Sequence, residues 1–407
     1  MPQLGLGSSL SRGGVTPSGF ANKYSLEFDG SNDYVNFVDI AFSGDFTVSA
    51  WVYMDDDPAD WEDGSNGNII VGDAANTDWI RINDATSITL KAGTHGGISL
   101  THGETFTGGA WEHMVMKRAG DTITAYRNGD PGGTTGTLEA THTFTPEWIG
   151  RKHNTYDYFD GKMDEVAMWD VSLDDAAVTA IYNSGTPIAL DADDGNYDNS
   201  GDLQGWWRMG DGTLDDGNIT GNGLIADQTS ATLGSELFDS DAKAFAVGGT
   251  YNGSNPSEHA TDTYGWIQQG ANGLENDSGE LKITYADSAN GAQFYFRDAS
   301  DLSAEMDANS VYKFTFQARY AEGSSGVKAK IYDTVGYVYS DAFTTSMATY
   351  TIYFHTYSAP ASTFFRLETM ASSNIVYIDN LSLKKVNGNP GTMINMTASD
   401  IVEAVPS

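Results

Sequence analysis

The chain has 407 residues, of which 21 are lysine or arginine and 56 are aspartate or glutamate, so its formal net charge is −35 at pH 7. This charge disfavours nucleic acid as a partner, because an acidic surface repels phosphates. The absence of cysteine excludes a disulfide framework. The sequence has no run of about 20 apolar residues, so we expect no membrane insertion, and its length is enough for two domains with full cores.

Residues 1–20 are rich in glycine and serine and show no alternation of apolar and polar positions. Four apolar side chains, Leu4, Leu6, Leu10 and Val15, lie among the glycines, and Arg12 is the single charged residue. Such a segment can lie extended in the groove of a partner, because glycine permits close backbone approach. We expect an N-terminal attachment arm; a flexible terminus is the alternative.

Apolar and polar residues alternate through the next region, as strands of antiparallel sheets require. The segments that stand out, in chain order, are Tyr24–Val35, Phe46–Val52, Trp111–Val115, Thr122–Gly129, Trp148–Gly150 and, after a turn at Phe159–Gly161, Met163–Val171. Leu173–Tyr182 is the one patch with helical periodicity. The region therefore predicts a β-sandwich.

These segments, in this order, resemble the laminin-G-like and pentraxin-like jelly rolls of the concanavalin A-like lectin and glucanase superfamily. The resemblance covers roughly residues 20–233 and implies a lectin-type sandwich over residues 21–233. In that family a phrase similar to Leu203–Gly212, an apolar-tryptophan strand followed by a turn rich in aspartate and glycine, usually precedes the opening strand. Here it follows, so we expect residues 203–230 to complete the sandwich in a circularly permuted order.

Residues 234–386 predict a second module of alternating strands, as in Tyr312–Arg319, where Phe314, Phe316 and Ala318 alternate with polar neighbours. The closing phrase Ile375–Lys384 resembles the galactose-binding-like jelly roll that many carbohydrate-binding modules share. The resemblance implies a second β-sandwich with a carbohydrate ligand.

The tail, residues 387–407, is unlike the second module and resembles the glycine-rich turn and short strand that follow the apolar-tryptophan phrase in laminin-G-like domains. We expect it to return to the first domain near Trp206 and Trp207, since an exposed sheet edge would otherwise remain. The predicted fold is therefore all-β, with two antiparallel β-sandwich (jelly-roll) domains, the second inserted near the C-terminal end of the first.

Catalytic patterns are missing from the sequence. Glucanases of the superfamily carry alternating acids on one strand as nucleophile and acid, and no Glu-x-Asp-x-x-Glu pattern occurs here. Strand alternation would place the neighbours Asp164 and Glu165 on opposite faces. We expect a non-enzymatic protein with no catalytic residue.

Sugar binding needs a flat aromatic face against C–H groups, with polar side chains beside it. Tyr337 and Tyr339 alternate onto one face, which is either a ligand face or the core; Trp148 and most other tryptophans are expected in the core. The candidate ligand-binding residues are Trp61, Trp79, His95, Tyr156 and Tyr158 in the first domain, and Trp266 and Tyr337 in the second.

Carboxylates in loops can also hold calcium. The loop in which pentraxins hold theirs is Arg151–Asn154 here, and it carries no acid. A structural calcium is predicted instead, with Asp29, Asp164, Asp239 and Asp379 as candidate ligands and Asp241 as an alternative to Asp239. The competing interpretation of Asp29 and Asp164 is that they cap turns.

The N-terminus has no basic segment followed by an apolar one, as a secretory signal requires. Binding modules of an extracellular type without such a signal favour a bacteriophage virion protein, made in the host cytoplasm, such as a capsid decoration, fibre or tail appendage. It would bind a host-surface glycan for host attachment, contact other virion proteins through its arm, and form a homo-oligomer. The alternative is a secreted or cell-surface carbohydrate-binding protein, accessory to polysaccharide degradation.

Overall fold

The computed structural model describes the following residues: 20–57, 68–103, 105–153, 157–216, 223–238, 243, 247–251, 266–269, 273–285, 302–322, 326–333, 336–356, 360, 363–368 and 374–407. This part of the chain is nearly all β, with several antiparallel sheets and one α-helix, α1 (Asp175–Tyr182). The predicted all-β class is confirmed. No helix of the described chain is both long and apolar enough to cross a membrane, and the predicted arm, apart from Phe20, lies outside the described residues.

The strands of the N-terminal half are β1 (Ser25–Asp29), β2 (Tyr34–Asn36), β3 (Phe46–Met54), β4 (Ile69–Gly72), β5 (Trp79–Asp84), β6 (Ser87–Lys91), β7 (Ile98–Thr101), β8 (Trp111–Ala119), β9 (Thr122–Arg127), β10 (Asp130–Thr137), β11 (Trp148–Ile149), β12 (Asp160–Trp169), β13 (Leu203–Trp207) and β14 (Leu224–Ile225). The remaining strands are β15 (Leu233–Glu236), β16 (Val247–Tyr251), β17 (Trp266–Gln269), β18 (Gly273–Asp277), β19 (Glu280–Thr284), β20 (Ser310–Glu322), β21 (Lys328–Asp333), β22 (Gly336–Tyr339), β23 (Ala348–Thr356), β24 (Phe364–Glu368), β25 (Ile375–Val386), β26 (Gly391–Ile394) and β27 (Ile401–Val402).

Two sheets form the first sandwich. The first sheet has the order β10-β9-β8-β3-β12-β1-β27, with β13 also paired to β12, and the second has the order β14-β26-β2-β11-β4-β5-β6-β7. Their facing sides bury one apolar core, because alternate residues of each strand point inward. Leu26, Val52 and Met163 come from the first sheet, Ile80 and Met393 from the second, and all five are at most 1% exposed.

The C-terminal tail pairs with strands of this first sandwich. β26 lies between β14 and β2, with Val35 opposite Met393, and β27 pairs with β1. The Trp207 indole donates to the backbone oxygen of Asn389 at 2.9 Å, so the tail does contact the Trp206–Trp207 strand. The chain thus returns to its starting sheets after residue 386; the boundaries proposed at residues 233 and 386 stay predictions.

A bulge interrupts β12 between Asp164 and Ala167, where the register against β3 shifts. Met163 and Val166 both lie in the core between the sheets, so Asp164 and Glu165 lie together on the other side. Glu165 has a φ of 48°, in the left-handed region. The expectation that these two acids occupy opposite faces is therefore wrong, because an inserted residue breaks the alternation of a strand.

A second apolar layer covers the outer face of the first sheet. The side chain of Asp174 accepts from Ala177 N and caps the start of α1. The buried helix residues Ala177, Val178 and Ile181 join Trp169 and other residues of the sheet in one cluster. This face is thus occupied by the chain itself.

Two further sheets form a second sandwich. The third sheet has the order β18-β19-β25-β20-β23, with β15 also on β25, and the fourth has the order β22-β21-β24. β16 and β17 form a separate parallel pair. Phe314, Phe316 and Ile378 of the third sheet pack with Ile331 and Phe365 of the fourth in one core. Every strand of the third and fourth sheets comes from residues 233–386, so this sandwich is continuous in sequence.

Candidate carbohydrate-binding surfaces

Several of the predicted ligand residues cannot be placed. Trp61 and Tyr156 lie outside the described residues, as does the side chain of Trp266, whose backbone is in β17. Tyr337, Tyr158, Trp79 and His95 are described and fall in three separate places. Two of these places bring aromatic rings and cations together.

The outer face of the fourth sheet carries three tyrosines, and we name it, with its two cations, the Tyr337 face: Lys330, Tyr332, Tyr337, Tyr339 and Arg366. Strand pairing sets their positions, since Tyr332 is opposite Tyr337, and Lys330 is opposite both Tyr339 and Arg366. The rings of Tyr332 and Tyr337 have centroids 4.9 Å apart, and those of Tyr337 and Tyr339 are 6.3 Å apart. The sequence left open whether these rings face the core; they face outward, because Val338 and Ile331 point inward.

The cations of the Tyr337 face lie against its rings. Lys330 Nζ is 4.2 Å from the centroid of Tyr337 and 5.7 Å from that of Tyr339, and Arg366 Cζ is 5.9 Å from Tyr337. Lys330 is buried, whereas Tyr337 is 42% exposed and is one of the few large apolar side chains with that exposure among the described residues. An exposed ring fixed from below by a cation is a flat surface that loses little entropy when a ligand stacks on it.

The second place is the outer face of the second sheet. Arg151 Cζ lies 4.4 Å from the ring centroids of both Tyr34 and Trp148 and 5.2 Å from that of Tyr158. Trp148 is buried, as predicted, but not between the sheets: its neighbour Ile149 enters the core, and its own indole donates to Asn36 Oδ1 at 3.0 Å. The strand pairing of β11 with β2 places Trp148 beside Tyr34.

Trp79 extends this group along the sheet. Lys152 Nζ is 4.3 Å and Arg81 Cζ 4.9 Å from its ring centroids, and Lys152 Nζ pairs with Asp157 at 3.3 Å. Burial lowers the pKa of both Lys152 and Arg81, with Asp157 opposing this. We name these residues the Arg151 cluster: Tyr34, Trp79, Arg81, Trp148, Arg151, Lys152 and Tyr158.

The loop that bears Arg151 and Lys152 lies close on the sheet at Gly72. A Cβ built on Gly72 would be 2.5 Å from the backbone oxygen of Arg151 and 2.8 Å from Lys152 Cβ. Only a residue without a side chain permits this approach. Gly72 therefore holds both cations against the rings of Trp79 and Trp148.

His95 belongs to neither group. It lies half-buried in the loop between β6 and β7, with its ring 5.2 Å from that of His142 and its Nε2 3.6 Å from Glu139. It stays a predicted ligand residue with no described contact to the Arg151 cluster.

The acids predicted to bind calcium are held by hydrogen bonds of their own. Asp29 Oδ1 accepts from Ser31 N at 2.8 Å, as in a turn cap, and Asp379 Oδ1 accepts from Asn380 N at 2.7 Å. Asp164 Oδ2 accepts from Asn22 Nδ2 at 2.8 Å. The described residues include no group of three or more potential metal ligands, and Asp239 and Asp241 lie outside them.

The bulge acids form an arrangement that the sequence did not predict. Glu165 Oε2 accepts from Trp206 Nε1 at 2.6 Å, and its Oε1 accepts from Arg208 Nε at 2.9 Å. Burial raises the pKa of Glu165 and, more strongly, that of Asp164, which also feels the charge of Glu165. Arg208 in turn donates to Ala21 O at 2.6 Å, so this group ties the start of the described chain to the first sheet.

A pocket of about 490 Å³ lies next to this group. Phe20 and Trp206 supply its apolar walls, and Arg208, Asp191 and Gln228 are among its polar ones. Arg208 stacks on Phe20, with its Cζ 4.3 Å from the ring centroid. Because Arg208 is already engaged by Glu165 and Ala21, we assign the pocket no ligand.

Comparison with known proteins agrees with the first part of the fold. Residues 29–179 match the family Laminin_G_3 of the concanavalin A-like lectin/glucanases superfamily. This match confirms the lectin-type resemblance over that part of the chain. No curated protein matches the sequence.

Solved structures show weaker similarity. A heptameric SAP-like pentraxin from Limulus polyphemus is 14% identical, with 40% of this chain and 82% of that chain covered and a TM-score of 0.33. A putative carbohydrate-binding protein from Bacteroides ovatus is 19% identical over 52% of this chain and 56% of its own, with a TM-score of 0.38. The CBM22-1 xylan-binding domain from Paenibacillus barcinonensis is 14% identical over 39% and 97%, with a TM-score of 0.27.

Proposed function

We propose that the chain is a non-enzymatic carbohydrate-binding protein and that the Tyr337 face is its saccharide site. The observation that supports this most is the 42% exposure of Tyr337 beside two further tyrosines on one sheet face. A sugar ring offers C–H groups to such rings and hydroxyls to neighbouring polar side chains. A buried core face would not expose a tyrosine in this way.

The test is a Tyr337→Ala substitution, with binding measured on a glycan array and then by calorimetry against the best oligosaccharide found. Loss of the central ring should weaken binding roughly tenfold, as for other central aromatic anchors. Tyr377→Ala is the matched control, because Tyr377 lies in the same sandwich and also stacks on a cation, with Arg319 Cζ 3.8 Å from its ring. Equal losses in both variants, or no loss in the first, would refute the assignment.

We also propose the setting in which this binding operates, a virion whose appendage or decoration protein carries the saccharide site toward the host. The acidic composition, the absence of cysteine and the two-sandwich architecture support it; residues 1–20 would join the other virion proteins. The alternative remains a secreted accessory of polysaccharide degradation. Mass spectrometry of purified particles and of secreted fractions distinguishes the two, since the protein should be found in the particles alone.

Calcium remains part of this proposal only as a structural ion. The described acids Asp29, Asp164 and Asp379 do not converge on a common point, so they do not fit a site of the usual six to eight oxygens by themselves. A melting curve with calcium and with a chelator checks the proposal. A bound ion should raise the melting temperature, and identical curves would remove it.

A further inference from the structure

The Arg151 cluster concentrates positive charge in a strongly acidic protein. Arg81, Arg151 and Lys152 are three of only 21 basic residues, against 56 acids, and they lie on one face of the second sheet, with Lys91 beside them. Lys91 lies opposite Trp79, and both Lys91 and Arg81 act to lower the pKa of Lys152. Bringing like charges together at a buried position is costly, so a counter-charge is needed there.

The described part of the chain supplies little of that counter-charge. Asp157 pairs with Lys152 at 3.3 Å, and its charge also acts on Arg81. Arg151 Nε donates to the neutral backbone oxygen of His153 at 3.0 Å, and among the described residues no carboxylate forms an ion pair with Arg81 or Arg151. Trp79 Nε1 and Arg81 Nε are buried N–H donors without an acceptor among the described residues, and Trp79 as a whole is 7% exposed. Buried donors are normally satisfied, and each one left unpaired reduces stability.

An anionic group would satisfy both requirements at once. Guanidinium groups bind planar anionic oxygens through paired N–H donors, and the half-buried rings of Tyr34 and Tyr158 beside Arg151 offer faces to the C–H groups of a sugar. The net charge of −35 disfavours a long polyanion. It does not prevent binding of one short ligand, since charges beyond about 8 Å are screened at physiological salt.

We propose that the Arg151 cluster is a second binding site, for the acidic group of a short acidic saccharide. The shared chemistry is an anionic group with several oxygens on a sugar ring, either the carboxylate of a uronic acid or a sulfate ester. Arg151 and Arg81 bind the anionic oxygens, the Trp79 indole donates to one of them, and Tyr34 and Tyr158 contact the ring. This site is in a different sandwich from the Tyr337 face and does not depend on it.

Calorimetric titrations with a short oligogalacturonate, a sulfated oligosaccharide and a neutral oligosaccharide of the same length test the proposal. The titrations use the Tyr337→Ala variant, in which saccharide binding at the Tyr337 face is weakened. The measured binding then reports on the Arg151 cluster. At least one acidic probe should bind roughly tenfold more tightly than the neutral one, and this preference should fall as salt is raised. The acidic probe that binds identifies the carboxylate or the sulfate as the group recognised.

Arg151→Gln and Arg81→Gln should each reduce that binding by roughly tenfold. Lys162→Gln is the control, because it removes a charge from the same sandwich at a lysine already paired with Glu27 and Asp55. If Arg151→Gln does not fold, Arg81→Gln decides. The proposal is overturned if no acidic probe outbinds the neutral one, or if Lys162→Gln loses as much as the arginine variants.

Discussion

The Tyr337 face and the Arg151 cluster both combine aromatic rings with cations, but they differ in which of these side chains is exposed to solvent. In the Tyr337 face all the residues come from three paired strands, so Lys330 stays low and Tyr337 stands above it, 42% exposed. In the Arg151 cluster two of the cations come from a loop that folds back onto the sheet, and Arg151 is 8% exposed. A loop passing over a sheet thus converts an aromatic platform into a buried charged site.

The two surfaces should therefore recognise ligands differently. A ligand of the Tyr337 face meets a ring first, so shape and C–H contact dominate. A ligand of the Arg151 cluster must satisfy buried N–H donors, and such sites discriminate strongly against a ligand that leaves them unpaired.

Deleting residues 387–407 should separate the two surfaces most clearly. β26 pairs with β2, which carries Tyr34, and it buries Met393 next to the core, whereas the fourth sheet contains no residue beyond 368. Loss of buried Met393 and Met396 alone should cost about 2–5 kcal/mol each in the first sandwich. Calorimetric unfolding should show a lower transition for the first sandwich and an unchanged one for the second.

Saccharide binding at the Tyr337 face should survive that deletion. If the second sandwich melts earlier while the first is unaffected, the dependence of the Arg151 cluster on the tail is wrong.

One buried or partly buried glutamate in each sandwich, Glu165 in the first and Glu236 in the second, should give the two sandwiches opposite responses to pH. Burial raises the pKa of Glu165 to about 7 from 4.5, so the folded state holds a proton that the unfolded state has released between these values. The free energy of unfolding of the first sandwich should then fall, on the order of 2 kcal/mol, as pH rises through this window. In the second sandwich burial acts to raise the pKa of Glu236, but several hydrogen bonds together outweigh it, among them one from Leu383 N, and the pKa is lowered. Its contribution to stability is therefore lost as pH falls.

Denaturant unfolding between pH 4.5 and pH 8 measures both slopes. Glu165→Gln should make the slope of the first sandwich less steep and leave the part that Asp164 contributes, whereas Asp39→Asn, at an exposed acid of the same sandwich, should leave the slope unchanged. If the free energy of unfolding of the first sandwich rose with pH, burial would not be the dominant cause of the shifted pKa of Glu165.

Gly72→Ala should affect only the Arg151 cluster. The added Cβ would meet the Arg151 backbone oxygen at 2.5 Å, so the loop must move away from the sheet at a cost of about 1–3 kcal/mol. We expect weaker binding of the acidic probe and unchanged binding at the Tyr337 face. Gly44→Ala is the matched control, since a Cβ there has no neighbour within 4 Å; equal effects would remove the role of Gly72.

The sequence predicts which side chains share one face of a strand, because their alternation is local. It does not predict whether that face is buried, because this depends on elements that are distant in the chain. Alternation placed Tyr337 and Tyr339 on one face, but only the packing of Val338 and Ile331 into the core shows that this face is outward. Likewise, Trp148 reads as a core residue, because nothing local distinguishes the two sides of the second sheet. The Arg151 cluster was missed although the basic loop Arg151–Lys152 is visible in the sequence, since Arg81 and Trp79 are at least 70 residues away in the chain.

Bulges are the other source of error. Asp164 and Glu165 were assigned to opposite faces, and the positive φ of Glu165 brings them together. No glycine marks the position, so the local sequence carries no signal of it. The signal that could have been used is the distant Arg208, which is the partner that stabilises the buried Glu165.

The pairing of Leu233 with Val386 has a kinetic consequence. These residues are neighbours in space, and Asn387 N donates to Thr232 O at 2.9 Å beside them. The chain therefore leaves the first sandwich and returns to it at adjacent points, and the second sandwich lies between these points in the sequence. Closing so long a loop from a disordered chain costs about 4 kcal/mol of entropy. If the second sandwich folds first, Leu233 and Val386 are already adjacent. Only a short effective connection then separates the tail from the strands of the first sandwich, and β26 can pair with β2 without closing a long loop. In that case the second sandwich forms before the first sandwich is complete.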